Sequence, residues 1–295
     1  MADKTAISWA TATWPITSGC SKQGPECDNC YAILDTWRMA HNPNPKISEP
    51  FTGLVSKRNG KLDWTGEVKE LSNRLSWPQR WKDETVFVSS LSDIFHPKIT
   101  FGYLAQVFRV AYFDARNTYL FLTKLPQRLD KFLRSQELRE ALGGAWGSEI
   151  APPPHIRFGT SVGCLKSLWR VEALIGIPAA YRFISMEPLL ETVPVPERFI
   201  PLLSQIIVGG ESASREKCRA MNVDAAREQR DDCLRHNLPF WFKQRGNWDW
   251  DYHDVAPTHR REFFGREYYF VSKKTSGNLL DGQLWEQPMR LLDPH

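Results

Sequence analysis

No stretch of this chain approaches the ~18 consecutive apolar residues that a membrane-spanning helix needs. Its N-terminus, MADKTAISWA, has no basic segment followed by an apolar one. A membrane-embedded protein and a secretory precursor are therefore both disfavoured, and the expectation is a cytoplasmic protein with no membrane partner. Internal repeats and low-complexity tracts are also missing, which excludes solenoids and linker-like chains. One-sided charge is missing as well. The net charge is +4, and the cations are scattered through Lys57, Arg58, Arg128, Arg134, Arg170, Arg215, Arg260 and Arg261. Contact with nucleic acid is thus permitted rather than demanded. Without a secretion signal, the six cysteines do not read as a disulfide framework, because the cytosol keeps thiols reduced.

What is present is an ordinary globular composition, with 42% apolar and 24% charged residues, so a sizeable core can form. A chain of 295 residues accommodates one large domain or two small ones. Tryptophan is abundant. Most such rings are expected to pack the core, although exposed ones could stack on bases. Short β-branched or aromatic runs at 85–88, 119–122, 156–160, 181–184 and 205–208, with a weaker one at 239–242 and an opening strand within 6–16, alternate with helical patterns. The helical spacing falls at 28–41, 99–115, 126–141, 165–175 and 223–236. This alternation is the mark of βαβ units around a parallel sheet. The predicted fold class is α/β, a (β/α)6-8 partial or full TIM-like barrel over residues 1–246. It carries an insertion at 43–80, expected to be partly irregular, and an accessory C-terminal segment, 247–295, packed on the barrel.

Cysteine placement carries the chemistry. Cys20, Cys27 and Cys30 form a C-x6-C-x2-C loop that opens the first helix, whereas Cys164, Cys218 and Cys233 stand alone and read as inert buried thiols. Three thiolates can hold three irons of a 4Fe-4S cubane and leave the fourth iron open to an outside ligand. Gly19, Gly24 and Pro25 suit a loop curled around an inorganic object. A structural zinc ion is the other reading. It needs a fourth ligand, for which only His41 stands nearby, and it would make the chain a zinc-stabilised nucleic-acid-binding module without catalysis.

The same loop, ending Cys-Asp-Asn-Cys-Tyr, resembles that of the radical S-adenosylmethionine superfamily. The usual spacing there is C-x3-C-x2-C with an aromatic residue before the last cysteine; here the first interval is longer and the aromatic, Tyr31, follows. A second resemblance extends from Trp14-Pro15 and Gly19-Cys20 through Cys27-Asp28-Asn29-Cys30-Tyr31-Ala32, Ser92-Asp93-Ile94-Phe95-His96, Ser185-Met186-Glu187-Pro188-Leu189 and Val208-Gly209-Gly210-Glu211-Ser212 to Phe242-Lys243-Gln244. It is similar to a phage-associated three-Cys-motif family of unknown function. Together the resemblances imply a 4Fe-4S enzyme that generates a 5′-deoxyadenosyl radical from S-adenosylmethionine, with an electron donor as partner and a nucleobase, a nucleic acid or a peptide as substrate. If phage-encoded, it would work in the host cytoplasm.

Polar residues recur where predicted strands run out, the end at which parallel α/β folds place reactive groups. On this pattern and the superfamily analogy, Tyr31, Ser90, Ser92, Asp93, Lys124, Thr160, Ser161, Glu187, Gly209 and Gly210 are the candidate cofactor-binding residues. Asp93, Glu187, Glu211 and Lys243 are the candidate catalytic ones, and Cys20, Cys27 and Cys30 the metal ligands. Asp93 could instead cap the following helix, and His96 is a candidate substrate contact. A third reading, a hydrolase using Asp93, Glu187 and Glu211 around a divalent ion, makes the cysteines incidental.

Overall fold

The structure, a computed structural model, describes residues 5, 7–143, 152–251 and 259–292. Seven strands form the main sheet: β1 (Ala12–Trp14), β2 (Thr85–Val88), β3 (Thr118–Thr123), β4 (Ile156–Ser161), β5 (Arg182–Met186), β6 (Gln205–Gly209) and β7 (Phe240–Gln244). They lie in chain order, each new strand added at the same edge. The pairs β1–β2, β2–β3, β5–β6 and β6–β7 are parallel. Parallel neighbours need crossovers, and helices supply them. These are α1 (Tyr31–Ala40), α2 (Phe101–Phe113), α3 (Pro126–Leu133), α4 (Gln136–Ala141), α5 (Trp169–Ile175) and α6 (Val223–Arg235). Between β5 and β6 the crossover is the 3-10 turn Glu197–Leu202, which contains Pro201. One-directional strand order with open ends is that of a partial (β/α) barrel, as the sequence predicts.

By their contacts the residues gather into two compact units. One comprises Met1–Lys22, Tyr31–Gly159 and Gly176–Ala180; the other comprises Gln23–Cys30, Thr160–Ile175 and Tyr181–His295.

In the first unit an aromatic core forms around Phe108, whose ring lies 5.9 Å from Phe121, 5.9 Å from Phe132 and 6.3 Å from Phe158. Residues 43–80 alternate short elements with irregular stretches. They hold the one-turn helix Pro45–Ser48, the hairpin Val55–Arg58 with Lys61–Trp64, and the strand Lys69–Glu70, which pairs with Thr17–Ser18 just after β1. The helix predicted over 126–141 breaks after Leu133. Ser135 then caps a new one, its hydroxyl accepting from the Leu138 N–H, because a short hydroxyl competes for the backbone inside a helix.

In the second unit every residue of β6 is buried, as fits a strand covered on both faces. Ile184, Val208 and Phe242 meet the α6 residues Val223, Ala226 and Cys233 in one core cluster. The C-terminal segment is part of this unit. Trp248–Asp249, Arg266–Phe270 and Arg260–Phe263 form a three-stranded antiparallel sheet, and Leu279–Leu280 pairs with Gln283–Leu284. The chain then runs beside β7, where the Phe242 N–H donates to the Trp285 carbonyl (2.8 Å) and Trp241 bridges Glu286. Tyr252, singled out with Trp248 and Trp250 in the sequence, lies outside the described residues.

Candidate active site

In the first unit, the chain leaves β1 through Thr17 and Ser18 and turns at Gly19, whose φ is +85°. A Cβ there would overlap the Glu67 carbonyl oxygen, so both the left-handed backbone and the close approach require glycine. Cys20 follows, half-buried. Ser21 Oγ lies 2.9 Å from His96 Nε2, and His96 Nδ1 accepts the Lys98 N–H at 3.2 Å. With Nδ1 an acceptor, Nε2 carries the proton and donates to Ser21. Burial, followed by the nearby Lys98 and Arg128 cations, holds the imidazole pKa below its usual value despite the Asp93 carboxylate. His96 is thereby placed as a brace for the turn after Cys20.

The candidates after β2 form a network of their own. The Thr17 hydroxyl donates to Ser89 Oγ (2.8 Å) and lies 2.5 Å from Ser92 Oγ, which donates to the Thr17 carbonyl (3.1 Å). Asp93 is buried. Its Oδ1 accepts the Phe95 N–H (3.0 Å) and the Thr123 hydroxyl (2.7 Å), while Oδ2 accepts the Lys124 N–H (2.8 Å). Asp93 thus fastens the end of β3 to the turn after β2. The half-exposed Tyr31 donates its hydroxyl to the Ser90 carbonyl (3.0 Å), linking the start of α1 to the end of β2. His41, the one fourth ligand that the zinc reading offered, has Nδ1 2.8 Å from the Trp37 carbonyl.

In the second unit, residues 23–30 carry Cys27, buried, and Cys30, partly exposed; none of the six cysteines is disulfide-bonded. The 3-10 turn Pro25–Cys27 sets the Cys27 N–H on the Gly24 carbonyl (3.0 Å), and the Gln23 N–H reaches Cys27 Sγ at 3.5 Å. Glu26 Oε1 accepts from Arg170 Nη1 (3.1 Å) and from the Gly163 N–H (3.2 Å). Burial raises the Glu26 carboxyl pKa, but the Ser167 hydroxyl, the backbone N–H groups and the Arg170 guanidinium outweigh it and hold the group below the usual carboxylate value.

Glu187 follows β5 directly and forms a cis bond to Pro188, and its Oε2 pairs with Lys243 Nζ at 2.5 Å, both side chains largely buried. The register explains how. Val208 pairs with Phe242 and Gly209 with Gln244, so Lys243 is the extra residue of a β-bulge, a device that re-aims a side chain. Gly209 stands between the partners: a Cβ there would come within 3.3 Å of Glu187 Cγ and 3.5 Å of Lys243 Cβ. Gly210 does something else, since a Cβ would overlap the Arg245 carbonyl oxygen.

Glu211 is engaged throughout. Arg219 Nη2 donates to its Oε1, while the Arg219 N–H (2.8 Å) and Asn29 Nδ2 (2.9 Å) donate to its Oε2. Arg219 also donates to the Pro25 carbonyl (3.0 Å), so Glu211 supports the cysteine loop through two intermediaries. Thr160 and Ser161 are buried in β4, and the Ser161 carbonyl accepts from Arg170 Nη1 at 2.9 Å. Sequence reasoning missed the anchoring residues Glu26, Asn29, Arg170 and Arg219. The visible signal was Glu26 itself, a lone acid inside a Gly-Pro cysteine loop.

Among the described residues no three His, Cys, Asp or Glu side chains stand together as a site for a single ion. The donor chemistry of the loop does fit an iron–sulfur cluster: three thiols outside disulfides, one sulfur receiving a backbone N–H, the contact by which proteins tune such clusters. The carboxylates of the hydrolase reading are each paired elsewhere, Glu187 with Lys243 and Glu211 with Arg219, while Asp93 caps backbone.

Strand order and the cysteine loop between the first strand and first helix define an α/β protein of the partial (β/α)-barrel class. The chain belongs to the family described as "Protein of unknown function (DUF5131)", whose model matches residues 4–288. No curated protein matches it. Among solved structures it is similar to spore photoproduct lyase complexed with dinucleoside spore photoproduct, at 12% identity, over 92% of this chain and 72% of that one, with a TM-score of 0.43. A double mutant of spore photoproduct lyase with bound AdoMet and dinucleoside spore photoproduct matches at 12% identity over the same shares with a TM-score of 0.44. At these scores the likeness bears on neither activity nor substrate.

Proposed function

We propose that the chain is a radical S-adenosylmethionine enzyme in which Cys20, Cys27 and Cys30 hold a 4Fe-4S cluster. The observation that carries this reading is the three-thiol loop joining the first parallel strand to the first helix, with a backbone N–H already directed at the Cys27 sulfur. When bound, the cluster and S-adenosylmethionine supply a 5′-deoxyadenosyl radical for hydrogen abstraction, with an electron from a separate donor. The protein's part is to hold groups in place and exclude water. Tyr31, Ser90, Ser92 and Lys124 in one unit, and Thr160, Ser161, Gly209 and Gly210 in the other, are assigned to cofactor binding. Lys243 holds a proton at Nζ against Glu187 Oε2 and is assigned, with Glu187, to direct contact with cofactor or substrate. Asp93 and Glu211 act as braces. A nucleobase or nucleic acid is the assigned substrate class, on the basic balance and aromatic content of the chain.

Anaerobic reconstitution with iron and sulfide tests this. The expected outcome is absorption near ~400 nm and release of 5′-deoxyadenosine with dithionite, both lost in Cys27→Ala and Cys30→Ala. A colourless protein carrying zinc, or activity surviving replacement of all three cysteines, overturns it.

A further inference from the structure

We propose that Glu26 and Arg170 are positioning residues for Cys27 and Cys30, and that the long first cysteine interval exists to carry this brace. The proposal rests on the iron–sulfur reading above. Both side chains are almost completely withdrawn from water, at 0% and 2% exposure. Arg170 spreads its fork over three acceptors. Nη1 donates to Glu26 Oε1 (3.1 Å) and to the Ser161 carbonyl (2.9 Å), and Nη2 donates to the Gln23 carbonyl (3.0 Å). Gln23, Gly24, Pro25 and Glu26 are the last four of the six residues between Cys20 and Cys27, and the fork holds the first and the last of these four. Glu26 immediately precedes Cys27 in the same 3-10 turn, so fixing Glu26 fixes the backbone from which the Cys27 sulfur projects.

Two glycines clear the space. A Cβ on Gly163 would come within 2.9 Å of Glu26 Cγ, and one on Gly24 would lie 2.6 Å from Glu26 Oε2 and 3.3 Å from Arg170 Nη2. Stability gives a weak reason to keep such a pair. Two buried charges lose their hydration, and well-packed apolar groups of similar size are often as stabilising. What an apolar pair lacks is direction: only the planar guanidinium fork fixes one carboxylate oxygen and two carbonyls at once. The geometry therefore serves placement of the loop. Outer partners of metal ligands act in this way and change metal affinity by about 10–100-fold when removed.

The test uses the full chain in three forms: wild type, Arg170→Lys, and the apolar double variant Glu26→Leu with Arg170→Met. Each is first checked for an intact fold by gel filtration and by its melting temperature without iron. Iron and sulfide per chain, the rate of bleaching in a chelator, and the electron paramagnetic resonance of the reduced cluster are then recorded. The double variant is expected to melt like the wild type yet lose iron about 10–100-fold more readily, with a shifted resonance. Arg170→Lys, which keeps the charge and loses the fork, should fall between, and it decides the matter if the double variant fails to fold. Variants that fold and hold iron as tightly as the wild type overturn the brace while leaving the iron–sulfur reading intact. A wild-type chain that takes up no iron overturns both.

Discussion

The adjacent glycines at the end of β6 make opposite predictions when each is replaced by alanine. At Gly209 the new methyl would sit 3.3 Å from Glu187 Cγ and 3.5 Å from both Glu187 Cδ and Lys243 Cβ. These are side-chain atoms that can give by a few tenths of an ångström. Crowding costs up to ~1–3 kcal/mol, and the stiffer unfolded chain returns ~0.4–1 kcal/mol, so the net loss should be about 1 kcal/mol. At Gly210 the methyl meets backbone: it overlaps the Arg245 carbonyl oxygen and lies 2.9 Å from the Gly246 nitrogen. The strands must part, which breaks the bond from the Gly210 N–H to the Gln244 carbonyl (2.9 Å) and that from Gln244 Nε2 to the Gly210 carbonyl (2.6 Å). Each buried group left unpaired costs ~1–3 kcal/mol, so Gly210→Ala should lose about 3–5 kcal/mol. Urea denaturation followed by tryptophan fluorescence measures both. Equal losses, or a Gly210→Ala protein within about 1 kcal/mol of wild type, would show that close backbone approach is not what selects this glycine. Activity should reverse the order of interest: Gly209→Ala folds, but its Glu187–Lys243 pair is displaced and turnover falls.

Asp93→Asn turns one acceptor into a donor facing the Lys124 N–H or the Thr123 hydroxyl, and should cost about 2–3 kcal/mol in the same denaturation assay; a neutral result would refute the brace. Phe264 and Gly265 form a two-residue hairpin loop with φ of +53° and +72°, conformations that favour Asn-Gly. Phe264→Asn should therefore raise stability by about 0.5–1 kcal/mol in the urea assay through relief of left-handed strain; a loss of stability would refute this and show that contact with the Tyr268 ring, 6.2 Å away, outweighs the strain. Hydrogen bonds from Arg227, then from Arg230, hold the Asp281 carboxyl below its usual value. A lowered folded-state pKa adds stability above the unfolded value and loses it as pH falls through the folded one. The deficit of Asp281→Asn should accordingly be about 0.5–1 kcal/mol at pH 7, steady down to about pH 5, and vanish under more acidic conditions.

The strands were legible because β-branched and aromatic runs bounded by turn residues persist through burial: 85–88 and 205–208 reappear as Thr85–Val88 and Gln205–Gly209. Helix starts were less so. α1 begins at Tyr31 rather than 28, because the turn Pro25–Cys27 and its hydrogen bonds occupy the residues before it. The crossover after β5 carried no helical period, and Pro201 keeps it a 3-10 turn. Beyond Gly246 the strands are two to five residues long, too short for alternation to register, although Asp281-Gly282 is a hairpin signal. In the candidate site, sequence identified which residues stand at strand ends but not what each one faces. The hydrogen bonds that Asp93 accepts from Thr123 and Lys124, and Glu211 from Arg219 and Asn29, join residues separated in sequence and are visible only in the fold.

The run of chain past Trp285 has a further meaning for a sheet that does not close on itself. A terminal strand of an open sheet offers unpaired N–H and C=O groups to any passing polypeptide, a standing invitation to aggregate. By donating the Phe242 N–H to the Trp285 carbonyl and the Gln287 N–H to the Phe240 carbonyl, the protein uses its own last residues as a selvedge. Around these bonds the edge of β7 is covered by the same chain rather than left bare to a neighbouring polypeptide.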